Sequence, residues 1–389
     1  MEKERRCWAQ IDLDKLKNNF NLIKNRCGNA SIMAVVKADA YGHGDVQVAQ
    51  VFVECGAAFL AVSGFEEAMR LRNAGIKAPI LILGYSSPAN AKALGEQNIT
   101  QTILSLEYAR ELSCAAVANN VCVNTHIKLD TGMGRIGFDA RSEFDKSADE
   151  IVQMFNLPSL NISGLFTHFA VADSDSDDDV AYTESQHKLL CSMHAELARR
   201  GHIIELVHCC NSAGIAAFAP FAHELVRPGI ILYGENPSHE VNMAGLMPAM
   251  ALKAVVAQVK TLDSGRDVSY GRAYTTEKPT RIATLTIGYA DGYPRALSNK
   301  GIVSIHGNKC KVIGKVCMDQ MMVNISDIEN VHAGDVATIF GDDGADSVEN
   351  IADKANTIVY EILCGISRRV PRVYISCGRE VGAVDYLNN

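Results

Sequence analysis

From Ser31 to Gly229 the chain alternates two kinds of apolar pattern. Short continuous runs, many of them β-branched, fall at Ser31–Ala38, Phe59–Gly64, Pro79–Gly84, Thr100–Ser105, Val121–Asp130, Ser163–Ala170, Leu206–Ser212 and Glu224–Gly229. Runs of that length read as buried strands. Between them, and ahead of the first, apolar residues recur at helical spacing, as in Leu190, Met193 and Leu197, or Leu13, Leu16, Phe20 and Ile23. Strand and helix in strict alternation predict a parallel sheet, and eight such units predict a closed (β/α)8 barrel of the TIM type. The segment ahead of the first run is expected to be an extra helix. Beyond Gly234 the pattern changes. Leu252–Leu262, Arg281–Gly288, Ile302–Ile305, Cys310–Cys317, Met321–Ile325 and Asp335–Phe340 are strand-like with short turns, and His306-Gly307-Asn308 marks a hairpin. A mainly antiparallel, β-rich C-terminal domain is expected. The expected division is 1–234 and 235–389, with the break near Glu235-Asn236-Pro237-Ser238 and the first residues free to join the second domain.

Composition narrows the classes. At 389 residues, 48% apolar and 21% charged, the chain matches an ordinary soluble protein large enough for two domains. The net charge of −8 and the lack of a basic block argue against nucleic acid as a partner. No apolar run has membrane-spanning length, and Met1-Glu2-Lys3-Glu4-Arg5-Arg6 leads into no signal-type apolar stretch, so a cytoplasmic location without membrane contact is expected. Twelve cysteines occur without a Cys-x-x-Cys pair, the usage of a reducing compartment. Adjacent Cys209 and Cys210 read as strand residues rather than a redox pair, and no metal site is expected.

Barrel enzymes carry their chemistry at the C-terminal ends of the strands. Here those ends hold Lys37 with Tyr41 just after it, Asp130 leading to Arg135, Thr167-His168-Phe169, Asn211-Ser212, and Arg227-Pro228-Gly229. A lysine at the tip of a buried strand can lose its proton, because desolvation disfavours the ammonium, and a neutral amine can hold an aldehyde as an imine. Ser212 suits the N-cap of a helix at Ala213–Phe218, and with Gly229-Ile230 it lies where barrels build phosphate sites. An imine lysine beside a phosphate site suits pyridoxal 5′-phosphate (PLP). Arg227 is placed to face the pyridine nitrogen and, staying protonated, cannot give it a proton. Two further motifs are weighed and set aside. Gly132-Met133-Gly134-Arg135-Ile136-Gly137 fits the dinucleotide fingerprint but follows the fifth strand, with Arg135 crowding the pyrophosphate approach. Asp173, Asp175, Asp177, Asp179 and Glu184 approximate a calcium loop, but Asp178 stands where the sharp turn needs glycine, so a solvated acidic loop is expected.

The motifs taken together resemble the alanine racemase family. They are Trp8–Leu13, Val36–Gly44, Asp130–Gly137, Thr167–Ala170, Arg227–Gly234, Val268–Gly271, Gly288–Gly292, Cys317–Gln320 and Tyr360–Leu363, in one unbroken order over nearly the whole chain. The resemblance implies a PLP-dependent isomerase, working as a homodimer, that interconverts L- and D-alanine and supplies D-alanine for peptidoglycan. It implies that Lys37 holds PLP and serves as one base, with Tyr270 as the other. His168 and Arg227 would form a relay behind the tyrosine. Tyr41, Ser212, Gly229, Ile230 and Tyr360 would line the phosphate, while Arg135 and Met318 would meet the substrate carboxylate. Asp319 would be supporting, and Tyr289 with Tyr360 would narrow the entrance. Lys128 matches a lysine that is often carbamylated; as His126, Lys128 and Asp130 alternate along strand five, its side chain is expected inside the barrel. Lys315 departs from the family, standing where arginine is expected before Cys-Met-Asp. Alternatives are a serine or broad-specificity racemase, a barrel-type PLP decarboxylase, and a PLP carrier.

Overall fold

The structure is a computed structural model that describes residues 5–388. Met1–Glu4, part of the charged start weighed above, and Asn389 lie outside the described residues. The chain divides into two compact units. One comprises Leu16–Ala40 and Asp45–Met247; the other is built from the segment ending at Lys15, Tyr41–Gly44, and the chain from Pro248 on.

The first unit is a closed parallel barrel. Its strands, numbered one to eight in chain order, are Ser31–Val35, Phe59–Val62, Ile80–Ile82, Ile99–Ile103, Val123–Asp130, Leu160–Phe166, Leu206–His208 and Leu225–Val226. Each pairs in parallel with the next, and strand eight closes on strand one through Leu225–Ser31 and Val226–Ile32. Continuous apolar runs suit strands buried on both faces; Ile80, Leu81 and Ile82 are fully buried. Asp130 ends strand five as expected, but the other strands stop short of their apolar runs, so Lys37, His168, Ser212 and Arg227 lie just past the C-terminal ends. The helices have local causes as well. Asp177–Arg199 is capped by the Ser176 hydroxyl, which accepts the Asp179 N–H at 3.3 Å, and three aspartates occupy its first turn. Asp177, Asp178, Asp179 and Glu184 are thus helical, and only Asp173 and Asp175 of the acidic series lie in a loop. Residues 235–247 tie back to the barrel unit: Ser238 Oγ donates to Asp173 O (2.5 Å) and the Met247 N–H to Asn19 Oδ1 (2.9 Å). This places the division at Pro248 rather than at Glu235–Ser238.

In the second unit six strands close antiparallel, in the order Met250–Leu262, Thr280–Leu285, Met321–Asn324, Asn308–Ile313, Ile302–Ile305, Val336–Phe340 and back to the first. The Ile302–Ile305 and Asn308–Ile313 hairpin turns on His306 (φ 53°) and Gly307 (φ 76°), both left-handed as a two-residue turn of this twist demands. The expected leading helix begins only at Leu13. Ahead of it Cys7–Asp12 is a strand, antiparallel to Met250–Leu262 and parallel to Arg372–Ser376, which pairs with Arg379–Val384. Helices Val348–Ala355 and Val359–Cys364 complete the unit. Among the described residues no helix is long and apolar enough to cross a membrane.

Candidate active site

Strand one stops at Val35, and Lys37 opens a single turn of unusual hand. Ala38, Asp39, Ala40 and Tyr41 have φ of 53°, 55°, 53° and 52°, four consecutive non-glycine residues in the left-handed region. Each costs roughly 1–2 kcal/mol against the right-handed alternative, so the turn persists only where its surroundings hold it. Here the Ala38 N–H donates to Glu67 Oε1 (2.8 Å), the Ala40 N–H to Val36 O (3.0 Å) and the Asp45 N–H to Asp39 Oδ1 (3.1 Å). In the second unit Arg372 Nε donates to Gly42 O (2.8 Å), and a Cβ at Gly42 would lie 2.3 Å from Leu363 O, so only glycine fits there.

Arg227 is the hub of the barrel mouth. It is buried, with NH1 donating to His208 Nδ1 (2.7 Å) and NH2 to Thr167 O (2.7 Å) and Cys209 O (2.9 Å). NH2 also lies 3.4 Å from His168 Nδ1. A guanidinium only donates, so it fixes the tautomers around it. His208 accepts on Nδ1, which leaves Nε2–H to donate to His126 Nδ1 at 3.0 Å. By the same logic His168 keeps its proton on Nε2. Burial, and then the Arg227 charge, hold His126 at about 4 and push His168 and His208 well below the usual imidazole range. Burial also lowers Arg227 to about 10, still charged at neutral pH. The Nε–H of Arg227 meets no protein acceptor among the described residues.

Lys128 is buried, with Nζ 2.5 Å from Leu129 O and 5.7 Å from the Phe166 ring centroid; Arg227 stands 5.2 Å from that same centroid. Burial, with Arg227 and Arg135 outweighing Asp130, lowers its amine to about 7. Asp130 is no direct partner for it. Asp130 Oδ1 accepts the N–H groups of Gly132 (2.9 Å), Met133 (2.9 Å) and Gly134 (3.1 Å), and Oδ2 accepts that of Arg135 (3.0 Å). Burial opposes its charge, but these donors and Lys128 hold it below the usual carboxylate range. The loop's amides are therefore spent on the protein's own carboxylate, and no helix opens there, which removes the dinucleotide reading.

Ser212 is not the expected cap. Asn211 caps Ser212–Ala217 by accepting the Gly214 N–H at 2.9 Å, while Ser212 Oγ accepts the Gly229 N–H at 2.9 Å and keeps its own proton for another acceptor. Ile230 opens the turn Ile230–Tyr233, so its N–H has no intrahelical acceptor. In the second unit the rings of Tyr41 and Tyr360 lie 6.1 Å apart. Burial, then Tyr360, push the Tyr41 phenol upward, so it stays a neutral donor. Tyr270 (71% exposed), Met318 (52%) and Tyr289 (41%) are surface residues of that unit. Tyr270 sits on a strained turn, with Ser269, Gly271 and Arg272 at φ 69°, 67° and 53°, pinned by Ser269 Oγ on Lys315 O (2.7 Å). Asp319 pairs with Arg369 at 2.8 Å.

Two family models match this chain, the alanine racemase N-terminal domain over residues 11–237 and the C-terminal domain over residues 249–374. The chain belongs to the alanine racemase family. It is 44% identical over 385 residues to the alanine racemase of Clostridium tetani, covering 98% of each chain. The Clostridium difficile 630 alanine racemase structure superposes at TM-score 0.93 with 38% identity, covering 99% of this chain and all of that one. The Bartonella henselae alanine racemase with covalently bound pyridoxal phosphate superposes at 0.85 with 28% identity, over 96% of this chain and 100% of that one.

As a member of that family, the chain holds two site features that its motifs did not reveal. One is His208, which anchors Arg227 although it lies inside an apolar run with no motif around it. The other is the left-handed turn, because Ala-Asp-Ala-Tyr contains no glycine to announce it. Lys315, the one departure from the family pattern, serves the Tyr270 turn through its carbonyl, which a lysine supplies as well as an arginine.

Proposed function

We propose that this chain is a PLP-dependent alanine racemase of the cytoplasm that works as a homodimer and supplies D-alanine for peptidoglycan. The observation that carries the reading is the Arg227 hub: a buried, permanently charged donor whose Nε–H is left over for a ring nitrogen. The other groups fit the cofactor too, with the Ser212 hydroxyl and the Ile230 N–H available to a phosphate, the buried Tyr41 phenol beside Tyr360, and Lys37 at the tip of strand one. When bound, PLP supplies an electron sink that stabilises negative charge on the α-carbon of an amino acid.

The chain's own residues then move the proton. Inversion requires a base on each face of the planar carbon, and Lys37 and Tyr270 are that pair. A phenol ionises ordinarily near pH 10, so its anion needs a donor. His168, held by Arg227 with its proton on Nε2, is that donor, and burial, together with the Arg227 charge, keeps it neutral so that it donates a hydrogen bond without surrendering the proton. Arg227 likewise keeps its own proton. Arg135 and Met318 receive the substrate carboxylate. Lys128, neutral in good part near pH 7, is the amine that would attack carbon dioxide, losing a proton to solvent as the carbamate forms; the resulting negative charge would steady Arg135. Tyr270 serves the partner subunit's Lys37, and the exposed Tyr270, Met318 and Tyr289 are the surface that the partner covers.

Incubation of the purified enzyme with L-alanine tests the reading. D-alanine is the expected product. Release of carbon dioxide would make the chain a decarboxylase, and no turnover with PLP retained would make it a carrier.

A further inference from the structure

Away from the barrel mouth, one group of nitrogen and sulfur ligand atoms converges among the described residues. The ligand atoms of His187, Cys209 and His223 all lie within 4.8 Å of one another. His187 Nε2 and His223 Nε2 are 3.0 Å apart. Cys191 Sγ stands 3.5 Å from the first and 4.0 Å from the second. The four residues come from three places in the fold. His187 and Cys191 are four apart on Asp177–Arg199 and so share a helix face, Cys209 follows strand seven, and His223 precedes strand eight.

We propose that His187, Cys191, Cys209 and His223 form a structural site for zinc or an equally thiophilic divalent cation. A tetrahedral zinc with bonds of about 2.0 Å to nitrogen and about 2.3 Å to sulfur sets its ligands about 3.3–3.8 Å apart. The separations of 3.0, 3.5 and 4.0 Å among His187, His223 and Cys191 bracket that spacing, and Cys209, within 4.8 Å of both histidines, needs a small approach. Two imidazoles and two thiols are a zinc donor set, not one for magnesium or calcium. The orientation is already built: the His187 ring stacks on Phe221, 4.0 Å between centroids and 4° between planes. Access is open, since His187, Cys191 and His223 are only half-buried. Without an ion this group is held by two protons alone: one imidazole N–H shared between the facing Nε2 atoms, and the weak S–H donor of Cys191 at 3.5 and 4.0 Å from them. Without the ion, Cys209 Sγ lies 3.2 Å from Phe221 O, an acceptor for its proton; binding releases that thiol proton and the Cys191 proton to solvent, and the proton shared by the two Nε2 atoms moves to Nδ1 of its own ring.

The site has a purpose within the barrel. The Cys209 carbonyl and the neighbouring His208 ring both hold Arg227, at 2.9 and 2.7 Å. An ion on the Cys209 sulfur would pin the end of strand seven against the helix, and with it two of the partners that position Arg227.

The test uses the purified holoenzyme, loaded with Zn2+ or Co2+ and desalted. About one ion should remain per chain, and the cobalt form should show the intense visible bands of a tetrahedral site with thiolate charge transfer in the near ultraviolet. Since an outer partner of a metal ligand is worth about 10–100-fold in affinity, Cys191→Ser and His223→Gln should each weaken zinc by about 100-fold or more. Cys114→Ser, at an exposed thiol, should not. Wild-type circular dichroism and elution volume in the two ligand variants show that they fold. An ion that washes off, a weak octahedral cobalt spectrum, or wild-type affinity in both folded ligand variants would overturn the proposal.

Discussion

The two units hold the proposed site residues in opposite ways. In the barrel unit Lys128, Ser212 and Arg227 are buried, and Arg227 already spends its donors on His208, Thr167 and Cys209. In the β-rich unit Tyr270, Tyr289 and Met318 stand on the surface, 71%, 41% and 52% exposed. The barrel groups are positioned by their own fold, where low polarity makes each hydrogen bond count. Of the surface groups, Tyr270 is positioned by a left-handed turn, and in the proposed dimer the partner subunit supplies their environment. Substitution in the barrel should therefore cost folding as well as function, while substitution at the exposed tyrosine should cost function alone.

The sharpest test separates the two shares between chains. Lys37→Ala and Tyr270→Phe should each lower kcat by at least about 10³-fold, within the range for a lost general base. Mixed dimers of the two variants should recover one working site, because the sound Lys37 of one chain meets the sound Tyr270 of the other. If mixing restores nothing, each subunit completes its own site and the surface reading is wrong. Borohydride reduction should fix the cofactor to the peptide bearing Lys37; label on another lysine would break the assignment.

Stability gives the next largest contrast. Arg227→Leu strips three acceptors of their donor at a cost of about 1–3 kcal/mol each where no water replaces it, so a loss near 3 kcal/mol is expected in urea unfolding. Tyr270→Phe should stay within about 0.5 kcal/mol. A large loss at Tyr270 would erase the distinction between the units.

Two smaller effects probe the barrel alone. Enzyme equilibrated with ¹³C-labelled carbon dioxide should show a carbamate carbonyl resonance that Lys128→Met lacks, and that variant should bind alanine about tenfold more weakly, the low end for an outer partner. An unchanged spectrum would leave Lys128 a plain amine. His126 sets an acid limit. Its folded value of about 4 lies below the ordinary 6.5, so between those pH values the unfolded chain binds a proton that the folded one refuses. Stability should fall as pH drops through that window, by up to about 1.4 kcal/mol per unit, and His126→Asn should flatten the slope. An unaltered slope would show that His126 titrates alike in both states.

Much of this could be read from the chain because the signals were local. Each barrel strand is a continuous apolar run between helical repeats, so eight units emerge from spacing alone. Lys37, His168 and Arg227 were legible because rim positions follow directly from strand ends. What escaped depends on distant partners. Cys7–Asp12 alternates buried and half-buried residues, yet the strands that give it meaning begin at Met250 and Arg372. The cluster of His187, Cys191, Cys209 and His223 matches no motif spacing, because a helix, a strand end and a loop bring it together. Ser212 was assigned to a cap that Asn211 takes, one position earlier, since either side chain can accept the orphan amide.

The pairing of Ala9 with Arg372 also has a consequence for biosynthesis. At ribosomal rates of about 5–20 residues per second, roughly 20–70 s separate the two residues. Through the first two-thirds or so of that interval Cys7, Ala9 and Ile11, all buried in the finished sheet, have neither neighbouring strand, and until Arg372 is made they have only Met250–Leu262. The barrel strands, complete by Val226, are made long before then. A trigger-type chaperone should thus hold the leading strand longest, and slowing translation after Met247 should raise aggregation more than slowing it within the barrel.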